Sequence, residues 1–224
     1  MRTTAAGVRT LQPVDPGETL AQISGDAPRD VRRPHVEAQL IAAMTKLING
    51  GLAANDISIS RLTGEAGIGR ATFYLYFADR QAFNLRLADY LREKLMPALE
   101  QLWAAITAGG WDTADEAMLQ FLRVYRDHGT IAQAVSDAAA VDPFVLSRMQ
   151  DGMRTLIDLT AEAIDAGKQA HVIRADAPTY EAAAIVVWMA ERACSQIAPS
   201  ADDAQLDRLV LALRFLTRDG LVAR

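Results

Sequence analysis

The chain has a single cysteine, Cys194, among 224 residues. One thiol excludes an intramolecular disulfide framework and a cysteine-clustered zinc site; a reducing cytoplasm is the simplest compartment and a small core residue the simplest role. Histidine is nearly as scarce. His35, His128 and His171 fall in different segments, no carboxylate pair has an identifiable partner, and neither a phosphate loop nor a nucleophile elbow occurs. Nothing here supports an enzyme, a metal site or a cofactor. His128, just before Gly129, is expected at a helix end that favours a cation. Long apolar runs are missing too: none approaches the roughly 20 residues that span a bilayer, and the first residues lack the apolar centre of a signal peptide. The expectation is a soluble, cytoplasmic protein with no membrane partner.

A basic excess is also absent, since the net charge is -5. Its distribution is uneven. Residues 32–86 carry seven basic side chains against four acidic ones, a balance of +3 that leaves -8 for the rest. One end of such a chain is suited to an anion and the other is not. Aromatics make up only 6% of the chain, yet Phe73, Tyr74, Tyr76 and Phe77 crowd into five positions of "GIGRATFYLYFADR", residues 67–80.

Nothing alternates like a strand, so the fold expected is all-α with about nine helices. Residues 1–34, with Pro13, Pro16, Pro28 and Pro34, have no sustained period and are expected to form a disordered arm that ends in basic "RDVRRP". Residues 35–80 are expected to form a small helical domain and 81–224 a larger one. In the first, Val36, Leu40, Ala43, Met44, Leu47 and Ile48 share a helical stripe that Gly50-Gly51 stops. Ser58 caps a short second helix ended by Gly67, and a third short helix starts near Gly69. Two short helices on a tight glycine turn, braced by a longer one, make a helix-turn-helix. Phe73 and Phe77 fall on one face of the third helix. Gly69, Thr72 and Tyr76 fall on another, so that Arg70, Thr72, Tyr74 and Tyr76 are offered outward or at the flank. Asp79 caps a fourth helix from Arg80 to about Leu95, and Pro97 is expected to break or kink what continues. Further amphipathic helices are expected at 98–108, 113–128, 130–140, 143–168, 178–198 and 202–219.

The stretch "ISISRLTGEAGIGRATFYLYFADRQAFNLRL" resembles the DNA-binding domain of TetR-family transcriptional regulators, on Ser58, Leu62-Thr63, Ala66-Gly67-Ile68, Thr72-Phe73-Tyr74, Phe77 and Arg80. Three positions depart from the family pattern: Thr63 stands for the usual Ala, Gly69 for a capping Ser or Thr, and Arg80 for Lys. The resemblance implies DNA contacts. Arg70 and Thr72 are assigned to bases or nearby phosphates and Tyr74, Tyr76 and Arg80 to the backbone; Gly69 lets the helix start approach phosphates, and Ser58 adds a hydroxyl at a helix N-terminus. By composition alone, the same face could simply meet solvent.

The rest of the chain is similar to the ligand-binding and dimerisation domain of that family, most of all to the branch typified by the ethionamide-resistance regulator. "DHGTIAQAVSDAAAVDP" and "VVWMAERACSQIA" carry that likeness. It implies a ligand-responsive repressor: a homodimer on a pseudo-palindromic double-stranded operator, released by a small, largely apolar ligand. Met118, Phe121, Tyr125, Met149, Met153, Leu156, Val187, Trp188 and Glu191 are the expected pocket residues, although spacing alone equally suits a core without a cavity. Glu191-Arg192 could instead be a structural ion pair. The last helix, with Leu206, Leu209, Val210, Leu213 and Leu216, is expected in the dimer seam unless it packs within one subunit. A helical small-molecule carrier or interaction module without DNA reading is the competing class.

Overall fold

The computed structural model describes residues 29–221, and every described regular element is helical: α1 (Arg29–Asn49), α2 (Ile59–Glu65), α3 (Arg70–Tyr76), α4 (Arg80–Thr107), α5 (Trp111–Asp127), α6 (Gly129–Ala139), α7 (Pro143–Gln169), α8 (Thr179–Ile197) and α9 (Asp203–Leu221), with 3-10 turns at Ala54–Asp56 and Ala198–Ser200. No helix among the described residues is long and apolar enough to cross a membrane. Two expected boundaries move. The expected arm lies outside the described residues except for 29–34, and these form the first turns of α1 with Pro34 inside the helix. Pro97 likewise neither ends nor divides α4, which runs unbroken for 28 residues where two helices were expected. Proline removes one N–H, here the partner of the Glu93 carbonyl. Glu93 and Pro97 are both exposed, so water can take the missing donor's place.

The second and third helices form as their caps dictate. Ser58 Oγ accepts from the Arg61 backbone N–H (3.2 Å), and Gly67 takes a positive φ of 68°, where a side chain would be strained. That left-handed residue lets the Ile68 N–H turn back to the Thr63 carbonyl (3.0 Å), closing α2 and aiming the chain into α3. Thr63, one of the three positions that depart from the resemblance, is buried. Its hydroxyl donates to the Ile59 carbonyl (2.9 Å), so the extra polar group is satisfied.

Phe73, Phe77 and Phe83 form a mutual aromatic contact, with centroids 5.3 to 5.9 Å apart, and this accounts for much of the dense aromatic run. They belong to one continuous core built from α1, α2, α3 and the start of α4 together with Ile131, Ala134, Val135 and Ala138 of α6 and Val145 of α7. The expected border at residue 80 is therefore packed across. Asn55 Nδ2 donates to the Asp137 carbonyl (2.9 Å) across that border, and just beyond it Gln81 Nε2 donates to both oxygens of Asp142 (3.1 and 3.0 Å), tying the start of α4 to the head of α7.

His128 lies between α5 and α6, serving as the last cap of one and the first of the other. The expected favourable cation does not materialise. Its pKa is lowered from the usual 6.5, first by burial and then by Lys94, with Asp127 opposing; the N-terminus of α6 adds a positive end beside it. A base disfavoured in its charged form when folded contributes its stability above pH 6.5 and loses it as the pH falls through the lower, folded value. The thermal midpoint of the wild type is thus expected to fall more between about pH 7 and about pH 5.5 than that of His128→Gln. Equal slopes would remove His128 as the source.

Candidate functional site

Two features bear on the expected sites: the solvent face of α3 and a large cavity in the helical body. On α3, Arg70 is exposed, Thr72 is half-buried and Tyr74 is 46% exposed. Gly69 caps the helix without a side-chain bond, and a Cβ there would meet only Thr72 Oγ1 at 3.9 Å, so packing does not demand glycine. Ser58 is exposed at the start of α2, with Oγ already accepting from Arg61.

Two of the expected DNA residues are placed elsewhere. Tyr76 is only 8% exposed and packs in the same core as Phe73, because a residue three positions from Phe73 shares its face as readily as one four positions from Thr72. Arg80 is not a free cation. Its Nη1 donates to the Ile57 carbonyl (2.6 Å), Nη2 to the Ala54 carbonyl (3.0 Å) and Nε to Asn84 Oδ1 (3.0 Å), with the guanidinium 5.9 Å from the Phe83 ring centre. Burial holds its pKa below the usual value. Arg80 therefore fastens the start of α4 to the segment that enters α2, a task that suits a planar fork of donors better than a lysine. The sequence reading missed Leu75, which is 44% exposed beside Tyr74. Hydropathy alone ranks Leu inside and Tyr outside, so only the inward turn of Tyr76 brings Leu75 to the surface.

The cavity has a volume of about 930 Å³ and is walled by α4, α5, α7 and α8, with contributions from α6 and α9. All nine expected pocket residues line it. So do Leu95, Leu99, Leu102, Trp103 and Ile106 of α4, which were not among the expected pocket residues. Phe121 and Tyr125 contact each other at 6.2 Å between centroids, and Trp188 is half-exposed at the wall. Burial, and after it the Glu191 charge, raises the Tyr125 pKa, while burial pushes the Cys194 thiol up to about 12, with Glu191 adding to it. Cys194 is fully buried and serves as a small core residue. Glu191 and Arg192 stand 4.0 Å apart, a loose pair.

The last helix divides differently from the expected seam. Leu206, Val210 and Leu213 are buried within the chain and Leu209 partly so, whereas Leu216 is 57% exposed along with Leu211 and Phe215. On α8, Tyr180, Ile185 and Trp188 are exposed as well. None of the described residues forms a cluster that could hold a metal ion.

No family model matches the chain. Among curated proteins it is similar to the HTH-type transcriptional regulator EthR of Mycobacterium tuberculosis, 30% identical over 142 residues, covering 61% of this chain and 64% of that protein. The match thus spans just under two thirds of the relative's length. To EthR of Mycolicibacterium smegmatis it is 26% identical over 190 residues, 85% of this chain and 82% of the other. Among solved structures, a TetR transcription regulator from Haloarcula marismortui superposes with a TM-score of 0.65 over 84% of this chain and 99% of its own, at 15% identity. The chain has the fold seen in TetR-family transcriptional regulators, and the curated proteins it is similar to in sequence are EthR regulators.

Proposed function

We propose that this protein is a ligand-responsive transcriptional repressor. As a homodimer it sets two α3 helices into successive major grooves of a pseudo-palindromic operator, with α1 to α3 as the DNA-binding part and α4 to α9 as the ligand-binding and dimerisation part. The observation that carries the reading is the division of α3: Phe73 and Tyr76 anchor it from behind, while Arg70, Thr72, Tyr74 and Leu75 are left at the surface. One cation, two hydroxyls and a branched apolar group suit phosphate oxygens, base edges and a thymine methyl. The exposed apolar side chains of α8 and α9 support the dimer, since a partner is the ordinary cover for such faces.

The path from ligand to DNA runs along α4. At 1.5 Å per residue its 28 residues span about 42 Å. Arg80 fastens one end to the entry of α2, and Leu99, Trp103 and Ile106 near the other end form cavity wall. A ligand that displaces this wall moves α4 as a rod and alters the spacing of the two α3 helices. To release DNA it must favour the altered spacing; a tenfold preference corresponds to about 1.4 kcal/mol.

Pull-down of sheared genomic DNA from the source organism, with the wild type beside an Arg70→Ala, Thr72→Ala double variant, tests the reading. Each lost contact is expected to cost about 1–3 kcal/mol, so the variant should recover a few pseudo-palindromic fragments at least tenfold less well, while both proteins melt alike. Equal recovery of bulk DNA by both, or recovery by neither, rejects a sequence-reading role for α3.

A further inference from the structure

The charged groups of the cavity wall are unequal. Asp89 is paired with Arg148 at 2.9 Å, Asp115 with Arg214, and Asp151 with Arg154 at 3.7 Å. Glu191 is different. Its Oε2 is buried and accepts no hydrogen bond from the described residues, and the nearest cation among them, Arg192 Nε, stands at 4.0 Å with a side chain 69% exposed. A carboxylate oxygen shut away from water without a donor is costly, and a donor delivered to it recovers part of that cost.

Its surroundings define what such a donor looks like. The aromatic residues Phe121 and Tyr125 line the same cavity, and no hydrogen bond engages the Tyr125 hydroxyl among the described residues. The Glu191 charge acts on both Tyr125 and Cys194, so the carboxylate stands near these two interior residues although its side chain is 29% exposed. The remainder of the wall is mainly apolar, with Met153 and Leu156 among its residues.

We infer that the cavity selects an amphipathic amine, whose ammonium group is held by Glu191 beside Tyr125 while its aliphatic part fills the apolar remainder. This inference rests on the ligand-pocket reading above and narrows it from any apolar ligand to a cationic one. An ammonium offers several N–H donors and a full charge to the unpartnered oxygen, and the neighbouring aromatic faces attract the same charge. A carboxylate head would meet Glu191 with like charge. An alcohol would supply one donor and no charge.

The tryptophans supply the readout, because Trp103, Trp111 and Trp188 are the only three in the chain and all line the cavity. Octylammonium, octanol and octanoate, equal in tail length, would be titrated against intrinsic fluorescence in wild type and Glu191→Gln. Gln keeps the shape and removes the charge, and a melting curve for each protein checks that both are folded. Octylammonium is expected to bind wild type at least tenfold more tightly than octanol and more tightly still than octanoate. In Glu191→Gln that preference should shrink to within about threefold, with octanol affinity nearly unchanged. Equal binding of the three probes by wild type, or an amine preference that survives Glu191→Gln, overturns the amine assignment and leaves the pocket standing. No response to any probe would remove the pocket reading with it.

Discussion

Replacing Arg80 by alanine is expected to lower the stability of the protein by about 3 kcal/mol, because the change strands the Ile57 carbonyl and Asn84 Oδ1 and leaves the Ala54 carbonyl with only the Ile57 N–H, at 3.3 Å. A buried acceptor that loses its donor forfeits more than the hydrogen bond itself, since water cannot easily reach it. Lysine at this position keeps the charge but offers a single ammonium in place of a fork. Arg80→Lys should therefore recover only part of the loss, leaving a deficit of about 1–2 kcal/mol. Urea unfolding followed by circular dichroism measures both. The expectation is specific to the geometry: a phosphate-contacting surface arginine would change the unfolding midpoint hardly at all when truncated. If Arg80→Ala unfolds like wild type yet loses DNA, the side chain is a DNA contact and its bonds to Ile57 and Ala54 carry no weight.

Tyr74 and Tyr76 should separate with comparable clarity. Tyr76→Ala removes an aromatic ring from the core shared with Phe73 and Phe83 and is expected to cost about 3 kcal/mol or more. Tyr74→Ala, at a half-exposed position, is expected to stay within about 0.5 kcal/mol of wild type while weakening duplex binding. Thermal melts and a salt-dependent duplex titration on the two variants give the comparison. Equal stability losses would mean that α3 is held by both tyrosines, and the division of its faces would have to be redrawn.

The same two tyrosines show how far the sequence could be read. Ser58, Gly67 and Asp79 marked the ends of α2 and the start of α4, because a cap acts on the few backbone groups next to it and needs no distant partner. The pocket residues were legible for a similar reason: Met118, Phe121 and Tyr125 recur at helical spacing, and spacing alone brings them to one wall. What was not legible was whether that wall enclosed a cavity or a filled core. That depends on how far apart α4, α5, α7 and α8 stand, a distance no single helix encodes.

The sequence by itself determined an all-helical chain, the capped helix-turn-helix with its tight glycine turn, and a basic early part joined to an acidic remainder. These follow from local backbone chemistry and composition. Tertiary structure decided the rest. It turned Tyr76 inward and Leu75 outward on α3, converted Arg80 from a free cation into a brace, and carried α4 through Pro97 to the cavity wall. It also buried Leu206 and Val210 while leaving Phe215 and Leu216 exposed. The reason is common to all of them. Helical periodicity fixes which side chains share a face, but whether that face meets a neighbour, a cavity or water is settled only when the helices pack.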